Sequence, residues 1–170
     1  MVKIAADLRT MQDRPAAIVA AALVEDALED ALMTNMAKLS RKERDALFLG
    51  HGPLATFSAK ISIARAFKLL GKEEAAEIDV IRTIRNVFAH ARIAIDFNTP
   101  EVAAQIEGIN VIKRLSSPFY EVLAPSFFSF MTKLRLKTPR DVFLASASLY
   151  AFNLWWLPPD LQDYAGDDDT

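Results

Sequence analysis

The fold of this chain is decided by the stretch Ile81-Arg82-Thr83-Ile84-Arg85-Asn86-Val87-Phe88-Ala89-His90. Its apolar residues recur at the spacing of one helix face, so the stretch predicts a helix packed against a core. Two arginines, an asparagine and a histidine share the segment, and each polar head needs a partner or solvent. The segment is therefore either a binding or reactive site or a polar structural lock.

Start and stop signals predict two helices before this stretch. Asp13-Arg14-Pro15 predicts a helix with Asp13 as its N-cap and proline in the first turn, running to about Leu39. Ser40-Arg41-Lys42-Glu43 is a capping-box pattern, which opens a short helix that stops at Gly50. Both signals are local, so they predict where each helix begins more firmly than what it packs against.

Four more helices follow from the same kinds of signal. The predicted starts are Pro53, Lys72, Thr99-Pro100-Glu101 and Thr138-Pro139-Arg140-Asp141, and the helix that begins at Lys72 ends near Arg92. We predict that the helices starting at Pro53 and Lys72 pack together through residues that include Phe57, Phe67 and Phe88. The expected fold class is all-α, a single-domain bundle of about five to seven helices over residues 1–160. Residues 161–170 form an acidic tail that we expect to be disordered.

Composition excludes several classes of function. The 170 residues suit one domain with a core, and the net charge of −2 is unlike the strongly basic balance of most nucleic-acid binders. We therefore expect no strong autonomous DNA binding. No cysteine is present and only two histidines are, so we expect no metal site and no cofactor. The apolar runs Ala16 to Val24 and Val142 to Leu157 are too short to span a bilayer, and no signal peptide is evident, which predicts a cytoplasmic protein without membrane contact.

The polar residues of the quoted stretch form a stripe on their predicted helix. At about 100° per residue, Asp79, Arg82, Asn86 and His90 fall within an arc of about 80°. Arg85 lies about 60° from Arg82 and about 140° from His90, so it does not meet His90 on an ideal helix. The side predicted to face the core carries Val80, Ile81, Ile84, Val87, Phe88 and Ala91.

Two interpretations of the stripe follow from its chemistry. Histidine can transfer a proton near neutral pH, arginine stabilises a charged phosphate, and asparagine can orient either group, which together would suffice for metal-independent RNA cleavage. In the structural interpretation, Asn86 and His90 bond backbone carbonyls where helices meet. Arg82 and Arg85 then pair with carboxylates of the first predicted helix, namely Glu25, Asp26, Glu29 or Asp30.

Two motifs in order resemble the mannitol operon repressor (MltR-like) family. They are Gly52-Pro53-Leu54-Ala55-Thr56-Phe57-Ser58-Ala59-Lys60-Ile61 and the stretch Ile81 to His90, and the resemblance covers Pro15 to Asn98. It implies an MltR-like, all-helical regulatory protein of transcriptional control, with no enzyme activity and no established DNA-reading helix. The acidic charge favours action through contact with another regulatory protein. In this leading hypothesis Arg82, Arg85, Asn86 and His90 are binding residues.

A second resemblance overlaps the first. Arg85-Asn86-Val87-Phe88-Ala89-His90 is similar to the arginine, polar residue, spacer, histidine pattern of HEPN-domain ribonucleases, which are helical dimers with the motif in a cleft between subunits. This resemblance implies that Arg85 stabilises the phosphate, Asn86 orients it and His90 is the acid–base group. The alternative hypothesis is therefore a HEPN-type metal-independent endoribonuclease that forms one half of a toxin–antitoxin pair. RNA is expected as a partner only in this alternative.

Other candidate residues carry weaker chemistry. We expect His51 and Lys60 to be solvated, and the pair Trp155-Trp156 to lie in a core or an interface. The apolar content of 52% and this pair predict a homodimer. A small basic patch is formed by Lys133, Arg135, Lys137 and Arg140.

Overall fold

The computed structural model describes residues 2–110 and 136–156. These residues form helices and connecting turns, with no strand among them. The helices are α1 (Val2–Thr10), α2 (Asp13–Thr34), α3 (Arg41–Phe48), α4 (Phe57–Ala66), α5 (Lys72–His90), α6 (Pro100–Glu107) and α7 (Pro139–Trp156). The predicted all-α fold class is confirmed. The predicted domain bounds stay a prediction, and the acidic tail lies outside the described residues.

Helix α2 occupies the centre of the bundle because most of its surface is apolar. It packs against α1, α4, α5 and α7. Small residues let these neighbours approach closely, since alanines fill most of its inner positions. Its buried residues are Ala16, Ala17, Ala20, Ala21, Val24, Ala27, Leu28, Ala31 and Leu32.

The local signals around α3 act as predicted. Ser40 Oγ accepts a hydrogen bond from Glu43 N, and the Glu43 carboxylate accepts one from Ser40 N at 2.8 Å, which completes the capping box. After α3 the chain turns at Gly52, where Leu54 N donates to Leu47 O at 2.9 Å. A Cβ atom on Gly52 would lie 2.3 Å from Leu47 O, so only glycine fits this close approach of two backbone segments.

The prediction that a helix begins at Pro53 is wrong, because α4 begins four residues later. Thr56 is the N-cap of α4, and its hydroxyl accepts from Ala59 N at 3.2 Å. The helix ends with Lys68 at a φ of 58°, while Leu69 N donates to Ala64 O at 2.9 Å. This is the Schellman arrangement with lysine where glycine is usual.

The contact between α4 and α5 is confirmed, with one exception among its predicted residues. The two helices pack together, and Phe57 and Phe88 are both buried. Phe67 is 49% exposed, because it is the residue at which α4 ends and the chain turns away. Val87, also predicted to face the core, is exposed at the edge of the buried arc of α5.

Asp13 joins the two ends of the described fold. It is the first residue of α2 rather than the predicted N-cap, which is Gln12. Its carboxylate accepts from Phe97 N at 3.1 Å and pairs with the Arg140 guanidinium, which also donates to Leu8 O at 3.1 Å. Arg140, predicted to lie in a basic surface patch, therefore holds α1, α2 and α7 together. The helix α1 was not predicted, and α2 ends at Thr34 rather than near Leu39.

The interior also contains a buried carboxylate. Glu77 on α5 accepts a hydrogen bond from the Tyr150 hydroxyl of α7 at 2.6 Å and from Asn110 N at 3.2 Å. Hydrogen bonds of this kind allow a polar group to be buried between helices without a large desolvation penalty. They tie α5 to α7 and to the chain after α6.

Candidate functional site

Helix α5 positions the polar residues of the quoted stretch, and both of its ends are held by side chains. At the start, the Glu74 carboxylate accepts from Gly71 N at 3.0 Å. At the end, Arg14 Nη2 donates to the carbonyls of Ala89 at 3.0 Å and Ala91 at 3.2 Å. A carboxylate at the N-terminus and a guanidinium at the C-terminus both complement the helix dipole. The helix therefore ends at His90, two residues before the predicted end.

Arg85 points to α2 and forms an ion pair there. Its Nη2 lies 3.0 Å from Glu25 Oε2, and its Nη1 donates to Asn86 Oδ1 at 3.1 Å. The side chain of Arg85 is 31% exposed, so the pair lies at the boundary between core and solvent. One of the partners expected in the structural interpretation, Glu25, is thus confirmed for Arg85.

The same carboxylate binds a second cation, which is buried. Lys60 Nζ lies 3.2 Å from Glu25 Oε1 and 3.1 Å from Glu29 Oε2, and only 5% of Lys60 is exposed. Arg44 on α3 pairs with the other oxygen of Glu29, with its Nη2 at 2.8 Å from Glu29 Oε1. We call these five residues, Arg85, Glu25, Lys60, Glu29 and Arg44, the α2 ion-pair network. It links α5, α2, α4 and α3.

The two carboxylates of the network are held by its three cations. Burial alone raises the pKa of Glu29, but hydrogen bonds from Arg44 and Lys60 outweigh it and lower the pKa below its ordinary value. The carboxylate therefore stays ionised at neutral pH and holds both cations. The expectation that Lys60 is solvated is wrong, because its stem is buried between α2 and α4 and its ammonium has two carboxylates.

Arg82 does not take part in this network. Its Nε donates to Asp79 Oδ1 at 2.7 Å, one helical turn earlier, and its Nη2 lies 3.4 Å from Thr83 Oγ1. The hydrogen bond to Asp79 raises the pKa of the Arg82 guanidinium. The expected pairing of Arg82 with α2 is wrong, since its place on the polar stripe points it away from that helix.

His90 is separate from the other polar residues. It is exposed, and its imidazole makes no hydrogen bond with any residue of ranges 2–110 and 136–156. Among the described residues neither Asn86 nor His90 donates to a backbone carbonyl, and the Asn86 amide oxygen accepts from Arg85. The structure thus brings Arg85 and Asn86 together with Glu25, while His90 remains at the helix end beside the carbonyls that Arg14 binds.

The remaining sequence candidates have ordinary surroundings. His51 is exposed in a turn, as expected. Trp155 Nε1 donates to Asp30 Oδ2 at 2.9 Å, and Trp156 is 68% exposed. Lys137 is exposed, and Lys133 and Arg135 lie outside the described residues.

Two residues of the site were not singled out from the sequence: Arg14, which caps α5, and Arg44, which pairs with Glu29. Lys60 was singled out, but its ammonium was expected in solvent. A signal for Lys60 exists in the sequence, because Glu25 and Glu29 lie one turn apart on the predicted helix, next to its apolar run Ala16 to Val24. Two carboxylates bordering such a helix require cations from neighbouring helices, and Arg85 alone cannot reach both.

Neither a metal cluster nor a membrane helix is found in the part of the chain that the structure describes. No group of three or more His, Cys, Asp or Glu side chains in this part could hold a metal ion. Among the same residues, no helix combines the length and the apolar character needed to cross a bilayer.

The fold resembles that of a chain in a solved protein complex. No protein-family model matches the sequence, and no curated protein does. A similar solved structure is the X-ray structure of the MtlR-HPr complex from Escherichia coli, with a TM-score of 0.65 and 16% sequence identity. The likeness covers 90% of this chain and 96% of the matched chain. At this identity the likeness shows a shared all-helical fold.

Proposed function

We propose that this protein is a cytoplasmic regulatory module that acts in transcriptional control by binding another protein rather than by reading DNA alone. The observation that carries this proposal is the fold, which is similar to that of a chain in a regulator–HPr complex over nine tenths of this sequence. The net charge of −2 supports it, because autonomous DNA binding draws most of its affinity from cationic contacts to phosphate.

The leading candidate partner is an HPr protein. HPr is the partner named in the complex whose fold this chain resembles. We expect saturable binding when the HPr encoded in the same genome is titrated into this protein in a calorimeter. The same preparation should give no sequence-specific shift of its own promoter DNA at physiological salt. Absence of HPr binding together with tight, specific DNA binding would contradict the proposal.

Metal-independent RNA cleavage is the second candidate function. The contact between Arg85 and Asn86 and the exposed imidazole of His90 favour it. The ion pair between Arg85 and Glu25 weighs against it, because a phosphate would have to compete with a carboxylate 3.0 Å from the guanidinium. We therefore regard the binding function as the better supported one.

An RNA assay separates the two functions. We expect no cleavage of single-stranded RNA by the purified protein in EDTA. Cleavage that disappears in His90→Ala, and falls by about 100-fold or more in Arg85→Ala, would establish the ribonuclease instead. His90→Ala should keep the melting temperature of the wild type, because the imidazole is exposed and has no hydrogen bond with the described residues, and this serves as the control for folding.

We also propose that the chain forms a homodimer. Trp156 supports this, since an indole that is 68% exposed at a helix end is a common feature of interfaces. Sedimentation equilibrium at tens of micromolar should show more than the 18.9 kDa species, and Trp156→Glu should restore that species. A wild type that sediments only as the monomer would contradict this.

A further inference from the structure

The outward face of α2 is apolar for about two helical turns. Ile18 is 36% exposed and Val19 is 37% exposed, and Pro15 and Ala22 are exposed beside them. Together with Asp26 these residues fall within an arc of about 100° on the helix. We call these five residues, Pro15, Ile18, Val19, Ala22 and Asp26, the α2 ridge.

This face differs from the exposed surface of α3. The short helix α3 exposes five consecutive charged residues, Arg41 to Asp45. A surface helix ordinarily carries polar residues on its solvent side, and an exposed apolar face contributes nothing to the stability of the fold. The run Ala16 to Val24 is therefore more apolar than packing inside this bundle requires, since its Ile18, Val19 and Ala22 remain in contact with water.

The ridge ends in a carboxylate, Asp26. Of the four acidic residues near the end of α2, Glu25 and Glu29 form ion pairs, and Asp30 accepts from Trp155. Asp26 makes no ion pair or hydrogen bond with any residue in the described ranges. Burial and the nearby charge of Glu25 raise the pKa of Asp26, and the charge of Lys60 offsets only part of this rise. A cation brought to this carboxylate would relieve that unfavourable charge.

We propose that the α2 ridge is the surface on which the partner protein docks, and that the partner presents a lysine or arginine to Asp26 within an otherwise apolar face. This inference rests on the proposed function, because it assumes a protein partner. The apolar residues supply the area that is removed from water, and the charge pair fixes the orientation of the two proteins.

The chemistry of the ridge selects this occupant over two others. A phosphate backbone would be repelled by Asp26. A second copy of the ridge would offer no cation to Asp26, because the arginine nearest the ridge in sequence, Arg14, already donates to two carbonyls of α5. Burial of an unpaired carboxylate in such an interface would be costly.

The test titrates the HPr encoded in the same genome into the wild type and three variants. Ala22→Arg places a long cation at the centre of the ridge, and we expect a loss of affinity of about 30-fold or more. Asp26→Asn keeps the shape and removes the charge, so we expect a few-fold loss and a weaker dependence of the affinity on salt. Ala76→Arg, on an exposed position of α5, is the matched control and should bind as the wild type does.

The outcomes separate the ridge from the proposed function. Wild-type binding that survives unchanged in Ala22→Arg would overturn the ridge while the proposed function stands. Failure of the wild type to bind would overturn both. If Ala22→Arg lowers the melting temperature, Val19→Glu replaces it, and unchanged binding by that variant would likewise overturn the ridge. Asp26→Asn binding with the full wild-type salt dependence would overturn the charge contact.

Discussion

Truncation of Glu25 is the sharpest test of the α2 ion-pair network. Glu25 accepts from Lys60 at 3.2 Å and from Arg85 at 3.0 Å, so Glu25→Ala removes two charge-assisted hydrogen bonds at once. A charged hydrogen bond contributes about 1.5–3 kcal/mol to stability in a protein interior. The variant should therefore unfold more easily than the wild type at neutral pH.

The loss of stability in Glu25→Ala depends on the contacts that Lys60 and Arg85 retain. Lys60 retains Glu29 at 3.1 Å, and Arg85 is 31% exposed and can be hydrated. The loss should therefore be smaller than the about 3–5 kcal/mol found when a fully buried pair is broken. We expect a decrease of about 2 kcal/mol in the free energy of unfolding. For a domain of this size, that corresponds to a fall of about 4–8 °C in melting temperature.

The assay is thermal and urea unfolding of Glu25→Ala beside a matched control. The control is Asp45→Ala, which breaks the exposed i,i+4 pair with Arg41 and should leave the melting temperature unchanged. Double-mutant cycles should give a larger coupling energy for Glu25 with Lys60 than with Arg85, because Lys60 is the more buried cation. A melting temperature of Glu25→Ala within a degree of the wild type, or the reverse order of couplings, would refute this reasoning.

Three further predictions concern single residues. Gly52→Ala should lower the free energy of unfolding by about 1–3 kcal/mol, because its Cβ atom would lie 2.3 Å from Leu47 O and the backbone must move. Gly50 has a φ of 60° but open space around it. Gly50→Ala should therefore lower the free energy of unfolding by less in the same urea titration, because only backbone strain opposes the alanine. Lys68→Gly should raise the free energy of unfolding by about 0.5–1 kcal/mol, because glycine adopts the φ of 58° without strain, and a lower melting temperature would contradict this. Asp26→Asn should raise the melting temperature at pH 7, since the pKa of Asp26 is raised in the folded state and its ionised form therefore opposes folding. This advantage should shrink as the pH falls toward the unfolded pKa of 3.8, and an advantage that grows on acidification would contradict the sign.

Local signals predicted much of the fold, and they failed where two of them competed. The capping box at Ser40 needs only residues three apart, so it was predicted correctly. The start of α4 was placed at Pro53, although Thr56 caps the helix, because proline and threonine are both start signals in one short segment. The close approach at Gly52 decides between them by turning the chain back along α3. The helix α1 has no comparable pattern, since its anchor is Leu8 and its partner Arg140 is distant in sequence.

In the candidate site, too, spacing along one helix could be predicted from the sequence, but the partners on neighbouring helices could not. The helical period placed Arg82 only about 60° from Arg85. Both were therefore expected to pair with α2, but only Arg85 does. The helical period did not select Glu25 among the four carboxylates of α2, because that choice depends on how the two helices pack. The spacing of Glu25 and Glu29 indicates that a cation is needed there, but the choice and burial of Lys60 depend on the contact between α2 and α4.

The two outer sides of α2 differ in the contacts that a binding partner would have to replace. On the side of the α2 ion-pair network, the charges of Glu25 and Arg85 already meet inside the fold, so a ligand there must replace an existing contact. On the α2 ridge, Ile18 and Val19 are hydrated, and Asp26 forms no ion pair or hydrogen bond with the described residues, so docking there breaks no contact among those residues. Burial of hydrated apolar surface is favourable by about 25 cal/mol per Å², whereas exchange of one ion pair for another is nearly neutral. The conspicuous polar motif of α5 is therefore expected to stabilise the fold, while the less conspicuous ridge is expected to determine affinity for a partner.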